Sequence, residues 1–140
     1  MRKKYGVIVV VIGYIFFFFC MEGWGANWRY AFRTVHQDTL IDFESISRLP
    51  DNIIRVWEKN IVTDKGREYY VESSKQVKFI NLDHFIVLTE YHCTWKKTRV
   101  LSVVFYSKDG TILHSSESPG NWGFIFPGSA AEYIFKEVCK

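Results

Sequence analysis

The strongest pattern in the chain runs from His84 to Cys93, where Phe85, Val87, Thr89, Tyr91 and Cys93 fall at alternate positions and so share one side of an extended strand. Thr94 to Lys97 reads as a hairpin connection into Arg99–Ser107, whose Val100, Leu101, Val103, Val104, Phe105 and Tyr106 make a central strand. Lys108-Asp109-Gly110 is a second turn, since Asp-Gly supplies the positive φ that tight hairpins need. Thr111–His114 then completes a three-stranded meander. Upstream, Trp28–Val35 alternates as a first strand, Gln37-Asp38 is expected to turn the chain, and Thr39–Asp42 returns beside it. Phe43–Leu49 suits one helical turn or a loop before Pro50-Asp51-Asn52 bends the backbone. Ile53–Lys59 is a further strand, with Ile54, Val56 and Glu58 on one side. From Asn60 to Asn81 the periodicity fades. Lys65-Gly66 interrupts it and Glu72–Lys75 is wholly polar, so the reading here is a loop with marginal structure.

The period changes at the C-terminus. Pro127-Gly128 is followed by Ser129 and, three residues later, Glu132, a capping box that opens a helix. Ala131, Ile134, Phe135 and Val138 then lie on one stripe with Cys139 beside it. The expected fold class is α+β: an antiparallel sheet of about six strands with a C-terminal helix on one face.

At the other end, Arg2, Lys3 and Lys4 precede an almost purely apolar run from Tyr5 to Met21, the order of an export signal. Gly23 and Gly25 place small residues third and first before a cut, so residues 1–25 are expected to be a signal peptide and residues 26–140 one domain. An uncleaved anchor is the alternative, although the run is slightly shorter than a spanning helix prefers. Lipidation at Cys20 is a third possibility, opposed by Phe18-Phe19 where a lipobox wants small residues. The cationic residues before the run carry most of the formal charge of +3, and from Asn27 onward 15 Lys/Arg face 14 Asp/Glu. That near-neutral balance gives no reason to expect nucleic acid or an anionic membrane surface as partner, and leaves the N-terminal segment, if uncleaved or lipidated, as the only membrane contact.

Setting Cys20 aside leaves Cys93 and Cys139 in a domain sent to an oxidising compartment, where the simplest outcome is one disulfide and the alternative is two buried thiols. No metal-ligand spacing is present, and His92 next to Cys93 would point to the opposite strand face, so it reads as a packing or surface residue. His36, His84, His92 and His114 are scattered, and no nucleophile, phosphate-loop or metalloprotease motif occurs. The sequence therefore predicts no catalytic residue, no metal site and no cofactor. Its candidate contact residues are Tyr69 and Tyr70, as aromatics in a weakly patterned segment, and the basic cluster Lys96, Lys97 and Arg99 beside Cys93.

An ordered set of residues resembles the surface-adhesin protein E family of bacterial envelope proteins. It comprises the aromatic opening strand, Ile41-Asp42 with Ser45-Ile46, Val56-Trp57, Cys93 followed by Arg99, and Tyr106-Ser107-Lys108-Asp109-Gly110. Trp122, Ile125, Pro127-Gly128-Ser129, Glu132 and Val138-Cys139 close it. The resemblance implies an antiparallel sheet with a C-terminal helix disulfide-bonded against it. Within that frame Trp57, Tyr106, Gly110, Trp122, Pro127, Gly128, Ser129 and Glu132 are structural motif residues. It further implies surface display and adhesion to host extracellular-matrix and plasma proteins, against the alternative of a periplasmic structural or accessory protein that binds an envelope component.

Overall fold

In the computed structural model, which describes residues 25–140, the alternating segments form one eight-stranded antiparallel sheet. Cys20 and all but the last residue of the expected signal segment lie outside the described residues. The strands are β1 (Trp28–Arg33), β2 (Gln37–Asp42), β3 (Ser47–Leu49), β4 (Ile53–Val62), β5 (Leu82–His92), β6 (Lys97–Ser107), β7 (Ile112–Ser116) and β8 (Gly123–Phe124). The order across the sheet is β1-β2-β4-β5-β6-β7, with β3 continuing along β4 beyond β2, and β8 along β6 beyond β7. The β5–β6–β7 meander stands as the sequence predicts, its last turn built on Gly110 at φ 85°.

Two helices cover the same face. α1 (Asp64–Ser74) lies over Val62, Phe79, Leu82, Phe85 and Val87, to which it adds Tyr70 and Val71. α2 (Ala130–Val138) lies over Ile41, Ile54, Val56 and Tyr91, to which it adds Ile134 and Val138. Each set is an apolar cluster out of water, and together they supply the hydrophobic stabilisation of the fold. Sγ of Cys93 and Cys139 are bonded, with the Cα atoms 5.6 Å apart, so the end of α2 is tied to the end of β5. Ser129 caps α2 by accepting from Glu132 N at 3.2 Å, whereas the Glu132 carboxylate reaches past the cap residue to Gly128 N at 2.8 Å. Gly128, at φ 76°, makes that reach possible.

Three sequence expectations change. The turn after β1 falls at Thr34–His36, where the Thr34 hydroxyl accepts from the His36 and Gln37 amides, so Gln37 and Asp38 already belong to β2. Phe43–Leu49 divides into a 3₁₀ turn (Phe43–Ser45) and β3. The segment Asn60–Asn81 is ordered: β4 continues to Val62, α1 follows, and a 3₁₀ turn spans Val77–Asn81. Polar contacts hold α1 in place. Thr63 caps it through Gly66 N at 3.1 Å, and Arg67 Nη1 donates to the carbonyls of Val62 and Leu82. Neither contact shows as apolar periodicity, which is why the helix is invisible to a pattern search.

Candidate functional site

The strand residues that alternate with the core point to the face without helices. Trp28, Trp57, Ile86, Val104 and Tyr106 come together there with Asp42, Glu44 and Ser45 around a groove of about 720 Å³. The register explains the grouping, because Trp28 pairs with Asp42, Lys59 with Ile86 and Ile86 with Val104 across β1, β2, β4, β5 and β6. Asp42 is fixed by the Asn27 and Glu44 amides at 3.2 Å each, and the Ser45 hydroxyl accepts from Trp57 N at 3.1 Å.

Towards the disulfide end of the same face, Glu90 is 1% exposed and bonded to two guanidinium groups. Arg55 Nη2 donates to Oε1 at 2.6 Å and Arg99 Nε to Oε2 at 2.8 Å. Burial pushes the Glu90 carboxyl up, but the hydrogen bonds and charges of Arg55 and Arg99 outweigh it and hold the group below its ordinary range. Arg99 also stacks over the Trp122 ring at 4.5 Å, and Trp122 meets His92 edge-on at 5.8 Å. His92 is buried under Trp95, stacked at 4.0 Å, so of the two roles its sequence context allows, packing and surface, it takes the first.

Above this base stands a ridge of exposed aromatic and basic side chains. Trp95 is 62% exposed, Phe124 69% and Phe126 72%. Lys97 Nζ lies 4.8 Å from the Phe124 ring centre and 6.0 Å from that of Trp95, so the cation joins the β5–β6 turn to β8. Lys96, at φ 52°, forms the turn and is exposed beside them. Large apolar side chains so fully in water are costly unless a partner covers them, and aromatic groups next to cations are the typical composition of contact hot spots.

The candidate contact residues thus separate into two groups. Lys96 and Lys97 stand on the ridge and Arg99 lies beneath it, engaged with Glu90 and Trp122. Tyr69 is on α1, half exposed and stacked on His36 at 4.6 Å. Tyr70 turns inward, against Phe85 and Phe105, and donates to Gln37 Oε1 at 3.0 Å, with burial pushing its hydroxyl up to about 12. It does not present a contact surface. Of the motif residues, Trp57 and Tyr106 line the groove, Trp122 braces the ridge, and Gly110, Pro127, Gly128, Ser129 and Glu132 shape turns and the start of α2. Sequence reasoning missed Trp95, Phe124 and Phe126. Their signal was apolar bulk inside turn segments, Thr94-Trp95-Lys96 and Gly123–Pro127, where no alternation gives a side chain a buried face.

Among the described residues no three His, Cys, Asp or Glu side chains are grouped as a metal ion requires, and no helix is long and apolar enough to cross a membrane. Neither the curated proteins nor the solved structures contain a significant match to the chain. The family model for surface-adhesin protein E matches residues 28–140, a span that takes in every strand, both helices and both bonded cysteines. Membership points to an exported surface adhesin. On that match, and on the helix-backed sheet closed by Cys93–Cys139, the chain belongs to the surface-adhesin protein E family.

Proposed function

We propose that this protein is an exported cell-envelope interaction protein that adheres to extracellular host proteins through the ridge formed by Trp95, Lys96, Lys97 and Phe124, and that it acts by binding and not by catalysis. The observation that carries the reading is the exposure of Trp95 and Phe124 on either side of the Lys97 ammonium. An extracellular-matrix or plasma protein with an acidic, partly apolar surface complements that arrangement. The test is adhesion of the purified protein to immobilised matrix and plasma proteins. A Trp95→Ala, Lys97→Ala, Phe124→Ala triple variant is expected to lose adhesion while melting at the same temperature. Adhesion at the parent level by the folded variant would sink the reading.

Export in this proposal uses residues 1–25 as a cleaved signal and leaves 26–140 as the working domain. Intact mass of the exported protein distinguishes cleavage after Gly25 from retention of the apolar run and from a lipid on Cys20.

A second reading, a periplasmic accessory protein that binds an envelope component, is favoured by the groove, where Trp28, Trp57 and Tyr106 flank Asp42 and Ser45. Labelling intact cells with an amine reagent that cannot cross the outer membrane decides between the two. Modified Lys96 or Lys97 requires surface display, and labelling only after permeabilisation places the domain in the periplasm.

A further inference from the structure

α1 and α2 cover opposite ends of their sheet face and leave a gap between them. Into that gap opens a cavity of about 250 Å³, on the side of the sheet away from the ridge and the groove. Its walls include Phe32, Phe85, Val87 and Ile134, and its floor is a polar band that crosses four strands: Thr39, Glu58 and Asn60, Thr89, and Thr98.

Glu58 is 7% exposed and Asn60 4%, so both are built into the floor and not merely near it. Tyr91 Oη donates to Glu58 Oε1 at 2.8 Å. Asn60 Oδ1 is saturated by Gln37 Nε2 and Thr39 Oγ1, both at 2.6 Å, while its Nδ2 has no hydrogen-bond partner among the described residues and still touches open space. The lining contains no Lys, Arg or His; β4 contributes Glu58, β5 contributes Tyr91, and the residues from β1, β2, β6 and α2 are all uncharged.

The two buried glutamates of this sheet make the point by contrast. Glu90, on the other face, is held by two guanidinium groups. Glu58 has hydroxyl donors and no cation, an arrangement that leaves a carboxylate short of compensation in a low-dielectric setting. Aromatic rings at Phe32, Phe85 and Tyr91 stand around the same space and offer the π faces that attract a positive group. We propose that this cavity binds a small organic ammonium cation carried on an apolar stem, with the ammonium on Glu58 and the stem against Phe32, Phe85 and Ile134. The space equals roughly eight water volumes, enough for an amine of about that many heavy atoms and too little for a drug-sized ligand. Burial, opposed by hydrogen bonds from Tyr91 and Thr89, drives the Glu58 carboxyl up to about 7, and a bound ammonium favours its ionised form.

The test uses three probes of one size, hexylammonium, 1-hexanol and hexanoate, titrated calorimetrically at about pH 8 into the protein purified from cells that export it. Hexylammonium is expected to bind at least about tenfold more tightly than either of the others, and Glu58→Gln to remove that preference. In the parent protein, the carbon NMR titration of the Glu58 carboxyl is expected to move to lower pH with hexylammonium present. Ala131→Leu, which fills the cavity from the first turn of α2 and spares the floor, is expected to block hexylammonium. Equal binding of the three probes, no binding by any, a preference that survives Glu58→Gln, an unmoved carboxyl titration, or unimpaired binding to Ala131→Leu would each overturn the proposal.

Discussion

The carbonyl oxygen of His36 occupies the place where a side chain on Gly66 would begin: a Cβ there would stand 2.0 Å from it and 2.7 Å from Val62 Cγ1. The approach is this close because the β1–β2 turn is bonded onto the start of α1. Thr63 N donates to His36 O at 2.9 Å and Thr63 Oγ1 to Val35 O at 2.7 Å. Intrinsic propensity makes Gly→Ala inside a helix favourable by about 1 kcal/mol. Here the sign reverses. Gly66→Ala is expected to destabilise by about 2 kcal/mol through overpacking against backbone that cannot step aside. Lys65→Ala, one residue away and exposed, should stay within about 0.5 kcal/mol of the parent. Urea unfolding of the two variants checks the pair, and a stabilised Gly66→Ala would show that the turn does not rest on the helix.

Glu58 sets a pH slope of unusual sign. Its carboxyl titrates near its ordinary 4.5 when the chain is unfolded and at about 7 when folded, because burial disfavours the charge. Between those values the folded state holds more protons, so this group's contribution falls as pH rises and reaches a cost on the order of 3 kcal/mol above about pH 8. Glu58→Gln is expected to unfold at higher urea than the parent at that pH, with the gap closing as pH drops below 4.5. An equal gap at all pH values would refute the assignment.

Glu90 gives the opposite slope. Its folded carboxyl lies below the ordinary value, so its contribution is fully present above 4.5 and is lost as pH falls through the lowered folded value. Because Arg55 and Arg99 keep part of their surface in water, removal of the charge by Glu90→Gln is expected to cost about 2 kcal/mol at neutral pH, less than for a fully sealed pair. Acid unfolding curves of the variant should lose the corresponding steep region. If parent and variant melt alike at pH 7, the three groups contribute nothing net.

The Cys93–Cys139 bond closes a separation of 46 residues, for which chain entropy gives about 4 kcal/mol as an upper-range figure. Cys139→Ser is expected to lose a few kcal/mol, with amide exchange rising in α2 before the β4–β5 pairing. Thermal unfolding under non-reducing conditions, followed by exchange at the Ile134 and Val138 amides, measures both.

Much of this molecule is legible from its residues because β4 and β5 each bury one face, so Ile54, Val56, Phe85 and Val87 write the pleat directly into the sequence. The Asp109-Gly110 turn and the Ser129 cap are equally local and equally readable. Contacts made at a distance are not. α1 depends on Thr63 meeting the β1–β2 turn 28 positions away in sequence, and Gly66 looks like a breaker until His36 is seen against it. The ridge divides in the same way. Lys96 and Lys97 are evident as charge, whereas Trp95 and Phe124 become partners only when β8 pairs with the beginning of β6. Tyr70 was legible as an aromatic but not as a core residue, since its neighbours Phe85 and Phe105 come from strands far along the chain.

The sulfur link has a topological consequence for a chain cut once by a protease. It encloses β6, β7, β8 and α2 in one covalent ring, and the exposed stretch between β7 and β8, Glu117–Asn121, lies outside the strands and is where a protease would find accessible backbone. A single cut there linearises the ring and releases nothing. The strand half keeps β6 and β7 through the sheet, and the helix half, with β8 and α2, stays attached through sulfur at Cys93. A nicked molecule would migrate as intact protein until reduced, and the joint between sheet and helix would survive the loss of the chain that connects them.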